Sequence, residues 1–234
     1  MLFGWFYYDW TVLLLIPAML LTFWAQIKVK STFHKYSQQR TLRGQTAAEA
    51  ARRLLDANGL YDVQILQVAG ELNDHYDPRN KTLYLSDSVS QKSNTAAVGV
   101  ACHEVGHAIQ HARGYAPLQF RIRLVPICNF GSGLAMPLFL LGLFLGYAGY
   151  ILMVAGILCF SLATFFQLVT LPVEFDASRR AMAGMRECGL LYDDELRGAK
   201  RVLSAAALTY VAALAASLLS LLRLVIIANS GRRN

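Results

Sequence analysis

His103 and His107 stand four residues apart, with Glu104 directly after the first, in the pattern His-Glu-x-x-His. On an α-helix residues four apart stack on one face, so the two imidazoles can hold a single metal ion. Zinc, as Zn2+, suits such a donor set. A glutamate beside the first histidine is placed to act as general base on a zinc-activated water. From the composition, the motif is expected by chance about 0.003 times in a chain of this length. A catalytic zinc needs a third protein ligand and one open position. His111 continues the four-residue spacing, but helix rise alone sets it about 12 Å from His103, so it reads as a polar helix end. Glu174 is the stronger candidate, because it follows an apolar stretch that can return the chain to the side of the histidines. Asp176 points to another face and can at most support a ligand from behind.

These residues need elements to position them. Thr95 can cap a helix over Ala96–Ala112 that carries the motif and stops at Gly114. Thr46-Ala-Ala-Glu49 is a capping box for a helix over Ala47–Ala57, which ends at Asn58-Gly59. Val63–Val68 alternates like a strand, and the turn Asp77–Asn80 leads to a second strand over Lys81–Leu85. If Asn80–Leu85 lies at a sheet edge, it can pair with an extended substrate; as an interior strand it cannot. A further helical segment starts at Thr170-Leu-Pro172, with proline and Glu174 in its first turn, and ends near Gly189. Other polar residues read as ordinary. Tyr76 and Tyr84 could stabilise an oxyanion but fit strand packing, Arg179 and Arg180 fit a solvated or snorkelling face, and Cys102 fits a small buried residue.

Charged residues make up 16% of the 234 and hydrophobic residues 55%, a charge deficit that points to membrane segments and excludes disorder. Three stretches are apolar enough to span a bilayer: Trp10–Ala25 with the preceding aromatic run from Trp5, the uncharged stretch from Cys128 to Val169, and Val202–Leu222. The middle one is long enough for two spans with Gly146–Tyr150 as the bend, so four helices are expected. The first span lacks a basic leader and a small-x-small cleavage site, and reads as an anchor. Of the 22 Lys and Arg, all but Arg223, Arg232 and Arg233 lie in 28–123 and 179–201. Four spans place both regions on one side, which the positive-inside rule makes the cytoplasm. Topology therefore accounts for the net charge of +7, and no nucleic-acid partner is expected. Cys102, Cys128, Cys159 and Cys188 lie far apart, which excludes a dense disulfide scaffold.

The motif at His103–His107, the strand Asn80–Leu85 before it and Leu171-Pro-Val-Glu-Phe-Asp-Ala-Ser-Arg-Arg-Ala181 after the apolar stretch resemble the membrane-bound neutral zinc metallopeptidases of the YugP-like type. The resemblance covers essentially the whole chain. It implies a gluzincin-like site with His103, His107 and Glu174 as ligands and Glu104 as catalytic base. More distantly, the arrangement is similar to HtpX-type and CAAX-prenyl proteases, whose third-ligand helix reads Glu-x-x-x-Asp. Here Ser178 stands where that aspartate would be, which questions how the ligand is oriented.

The expected fold class is α+β: four transmembrane helices with a small cytoplasmic zincin-like catalytic domain. The expected segments are a first span over 5–26, a catalytic domain over 31–125, a transmembrane hairpin over 126–170, a third-ligand helix region over 171–201 and a fourth span over 202–228. The expected activity is that of a zinc endopeptidase in the bacterial plasma membrane, in contact with lipids and acting on polypeptides that include membrane-associated ones. Two other readings stay open: a zinc hydrolase of lipid esters, and a non-catalytic membrane chaperone or adaptor that retains the fold. Retention of Glu104 speaks against the last, since holding a metal does not require it.

Overall fold

The computed structural model describes residues 10–230; residues 5–9 of the first expected span, and Arg232 and Arg233, lie outside the described residues. A 3₁₀ turn over Trp10–Leu14 leads into α1 (Leu15–Ser37), followed by α2 (Ala47–Ala57), β1 (Gln64–Val68), β2 (His75–Asp77), β3 (Thr82–Ser86), α3 (Thr95–Ala112), α4 (Ala116–Phe144), α5 (Tyr150–Glu187) and α6 (Asp193–Ser230). The fold is mostly helical with one small sheet. Among the described residues four helices are long and apolar enough to cross a membrane: Trp10–Ser37, Ala116–Phe144, Tyr150–Glu187 and Asp193–Ser230. The chain divides into two compact units. A span unit contains the chain up to Ala25, residues 120–170 and the chain from Thr209; a site unit contains residues 26–119 and 171–208.

In the site unit, α2 begins at the capping box read from the sequence. The Thr46 side chain accepts from the Glu49 N–H at 3.2 Å, and Glu49 accepts from the Thr46 N–H at 2.8 Å. Ala47, Ala50, Ala51, Leu54 and Leu55 form its buried stripe, the spacing that helical periodicity requires. Burying a leucine such as Leu54 or Leu55 contributes about 2 kcal/mol. That stripe packs with Leu83 and Leu85 of β3 and Val98 and Val105 of α3 in one core cluster.

The sheet order is β1-β3-β2, with β1 parallel and β2 antiparallel to β3. β3 is therefore interior, and Leu83 and Leu85 are fully buried. This corrects the edge placement considered for Asn80–Leu85. The edge strand beside α3 is β2, whose three residues are too few to show an alternating pattern. Asn94, rather than Thr95, caps α3: its side chain accepts from the Ala97 N–H at 2.9 Å while Thr95 is already helical. A bridge between Arg40 and Asn94 and a bond from the Thr95 N–H to the Gln39 carbonyl set that register. Gly114 ends the helix with φ of 61°, a left-handed conformation that favours glycine.

Helix α5 differs from the expectation of a break near Thr170. Pro172 lies inside one continuous helix of 38 residues, so Glu174 is not in a first turn. Proline removes one N–H, a loss tolerated in membrane helices because neighbouring groups re-satisfy the freed carbonyl. At 1.5 Å per residue the helix is about 57 Å long, well over the roughly 30 Å of a hydrocarbon core. Its apolar residues 150–170 belong to the span unit, and residues 171–187 to the site unit.

The span unit packs its helices through small residues. A Cβ built on Gly149 would lie 2.0 Å from the Gly142 carbonyl oxygen, and one on Gly156 would lie 2.7 Å from that of Ala135. Around these contacts Phe139 and Met153 form an apolar cluster with Leu224, Ile227 and Ala228. Many large apolar side chains face outward, among them Leu13, Leu20, Phe23, Phe130 and Ile151. So much exposed apolar surface suits lipid rather than water.

Candidate metal centre

α3 carries His103, Glu104 and His107, and α5 supplies Glu174; all four belong to the site unit. Gly106, inside the motif, governs how closely the helices approach. A Cβ there would fall 2.4 Å from the Ala177 carbonyl oxygen, so the two backbones touch at this point. That contact draws Glu174, about one turn earlier on α5, against both histidines.

Glu174 Oε2 lies 3.2 Å from His103 Nε2 and 3.5 Å from His107 Nε2. The imidazoles meet nearly edge to face, with centroids 4.9 Å apart and planes at 82°. One ligand atom from each of the three side chains falls in a cluster with no separation above 4.8 Å. Glu174 is buried to 2% exposure, and the histidines keep a small opening. Two imidazole nitrogens and a carboxylate oxygen fit zinc, with a fourth tetrahedral position left for water or substrate. The orientation of the rings supports the fit: both Nε2 atoms face the cluster, while both Nδ1 atoms are engaged behind it.

Those rear contacts answer the question raised by Ser178. Its hydroxyl lies 3.1 Å from His103 Nδ1, so serine provides the ring with a hydrogen-bond partner. His107 Nδ1 lies 3.0 Å from Gln110 Oε1. Gln110 was not singled out in the sequence, although three residues along a helix from a ligand is a neighbouring position. It is fully buried, and its Nε2 donates to the Val173 carbonyl at 2.8 Å and to Asp176 Oδ2 at 2.9 Å. Asp176 thus reaches His107 through Gln110, and it also accepts from Arg179 and Arg180.

Glu104 sits beside the ligands and accepts the Tyr76 backbone N–H of β2 on Oε2 at 3.1 Å. Burial pushes its carboxyl above the ordinary range, against the opposing pull of the two imidazoles. The remaining candidates lie outside the metal cluster. The Tyr76 hydroxyl is 3.0 Å from His111 Nδ1, which engages both, and burial pushes that phenol up to about 12. The Tyr84 hydroxyl accepts from Asn80 at 3.0 Å, and its ring stacks on His75. Arg180 lies over the Tyr115 ring, 5.5 Å from its centroid. Cys102 is buried, which pushes its thiol up.

Residues 11–229 match the model of a family described as "Putative neutral zinc metallopeptidase". The chain is also 51% identical over 221 residues to a protein of Bacillus subtilis (strain 168) named "Putative membrane protease YugP", an alignment that covers 94% of this chain and 97% of that protein. No solved structure matches.

Proposed function

This chain belongs to that neutral zinc metallopeptidase family and is a multi-pass membrane protein, and we propose that it is a zinc endopeptidase with His103, His107 and Glu174 as metal ligands and Glu104 as general base. The observation that carries the proposal is the convergence of two Nε2 atoms from one helix on a single carboxylate oxygen from another. Bound zinc would supply Lewis acidity, polarising a carbonyl and lowering the pKa of a water to about 7. Glu104 then takes the proton of the attacking water and passes it to the departing amine nitrogen. One of its oxygens is held by the Tyr76 N–H, which leaves the other for proton transfer.

The same contact supports a peptide substrate. On an antiparallel strand a residue's N–H and C=O leave on the same edge. The Tyr76 carbonyl therefore faces the catalytic side and can accept an N–H from an extended chain. A lipid ester has no repeating N–H to offer it. The docking strand in this reading is β2 and not Asn80–Leu85, since β3 is interior to the sheet. The site faces the cytoplasm of the bacterial plasma membrane in this reading, because the basic residues of 28–123 and 179–201 share its side. Reporters fused after Lys35 and Arg186 should both read cytoplasmic; disagreement between them would overturn the orientation.

The activity is tested on the purified full-length protein in detergent, with casein and a panel of lipid esters. Wild type should cleave casein, and Glu104→Gln should keep its zinc while losing about 10²–10⁴-fold in rate. Ester hydrolysis without proteolysis would favour the lipid reading. Zinc binding without any hydrolysis would favour an adaptor.

A further inference from the structure

We propose that Gln110 is the positioning residue of the centre: it sets the tautomer of His107 and ties that ligand to the backbone that carries Glu174. The proposal rests on the zinc reading above and concerns what holds the ligands. Gln110 is fully buried, and each polar atom of its amide has a partner. Its Nε2 faces the Val173 carbonyl and the Asp176 carboxylate, both of which only accept. The amide therefore cannot be flipped, because an oxygen at that position would meet two oxygens. With Nε2 so placed, Oε1 must face His107 Nδ1, and an amide oxygen only accepts. Nδ1 then carries the proton, and the lone pair of Nε2 is left toward the metal position. Donation converges on Asp176: the ring donates to Gln110, and Gln110, Arg179 and Arg180 all donate to the carboxylate.

The second bond of Nε2 has a separate consequence. The Val173 carbonyl belongs to the peptide group that leads into Glu174, so one amide holds the second ligand by its ring and the third by its backbone. His103 has no equivalent. Its Nδ1 meets the Ser178 hydroxyl, which can donate or accept and so does not dictate a tautomer. Behind a metal-bound histidine the usual partner is a carboxylate or a backbone carbonyl. Here the carboxylate is withdrawn by one residue, and a neutral amide transmits its polarity.

The test uses the full-length chain in detergent, with zinc affinity read by chelator competition and geometry read from the absorption spectrum of the cobalt-substituted protein. Gln110→Met keeps the volume and removes every hydrogen bond; it should weaken zinc binding about 10–100-fold and shift the cobalt spectrum. Gln110→Glu keeps an acceptor for His107 Nδ1 but turns its second oxygen toward the Val173 carbonyl and the Asp176 carboxylate, so it should also weaken zinc binding, by at least about threefold. Wild-type affinity in Gln110→Met would overturn the proposal, as would a cobalt spectrum that it leaves unchanged. If Gln110→Met does not fold, Gln110→Glu decides alone: weaker zinc binding with a shifted cobalt spectrum supports the proposal, while wild-type affinity, or failure to fold, overturns it. His107→Ala separates this question from the larger one. If it binds zinc as wild type does, the metal centre itself is wrong.

Discussion

Gly106 on α3 in the site unit and Gly149, which ends the 3₁₀ turn Gly146–Gly149 between α4 and α5 in the span unit, each mark a contact too close for a side chain, and their surroundings differ. A Cβ on Gly106 would meet the Ala177 carbonyl oxygen at 2.4 Å, and one on Gly149 would meet that of Gly142 at 2.0 Å. Around Gly106 the crossing helices carry His103, His107, Gln110, Glu174, Asp176 and Ser178, joined to one another by hydrogen bonds. The neighbour of Gly149 is Gly142, which itself lies against Met153, a member of an apolar cluster with Phe139. Between lipid-facing helices no hydrophobic drive exists, so close packing itself must hold them. In the site unit hydrophobic burial draws the helices together, and close approach can serve to place ligands. One device thus has two uses, and the substitutions below should tell them apart.

The largest effect is expected at the polar crossing. Glu174→Ala removes one of three ligands, so zinc should be lost from the purified protein and casein cleavage should fall to background. Metal content by mass spectrometry checks this, and zinc retained at one per chain would count against Glu174 as ligand.

The two glycines should then respond differently to one added methyl. Overpacking a close contact costs about 1–3 kcal/mol, so both Gly106→Ala and Gly149→Ala should unfold earlier on heating in detergent. Only Gly106→Ala should also weaken zinc binding, because the methyl pushes the Ala177 backbone, and with it Glu174, away from the histidines. If Gly149→Ala lowers zinc affinity as much as Gly106→Ala, the division of labour drawn here is wrong.

What could be read in advance followed from the range of the interactions. The capping box Thr46/Glu49 and the motif from His103 to His107 are complete within four or five residues, and the structure forms the box and sets both histidines of the motif on one helix. Glu174 could be singled out because it is a carboxylate just after a long uncharged stretch. The parts that were missed depend on partners distant in the chain. β2 is a strand only because Tyr76 and its neighbours pair with β3. Asn94 caps α3, although Thr95 has the same chemistry, because Arg40 bridges to Asn94. Nothing within α3 marks Gln110, because its partners Val173 and Asp176 lie on another helix. Pro172 obeys a helix-start preference in water but sits in the interior of a long apolar helix.

The smallest effect should come from a polar contact inside the span unit. Thr164 Oγ1 and Ser217 Oγ lie 2.6 Å apart, a part-buried pair that links α5 to α6. A hydroxyl pair between lipid-facing helices suggests a large contribution, since lipid offers neither group a partner. Each hydroxyl, however, can also bond a carbonyl one turn back in its own helix, as Ser161 does with the Leu158 carbonyl at 2.7 Å. The reference state for losing the contact is therefore a satisfied hydroxyl, and measured interhelical bonds of this kind average about 0.6 kcal/mol. Thr164→Val and Ser217→Ala should each lower the stability by about that amount. The double variant should cost little more than either single one, because one bond is lost in all three. Zinc affinity should stay at the wild-type value throughout, since no ligand or ligand partner changes. A double-mutant cycle in detergent reads both quantities. A coupling above about 2 kcal/mol would show that the span unit also relies on directed polar bonds, which would remove the contrast with the metal centre.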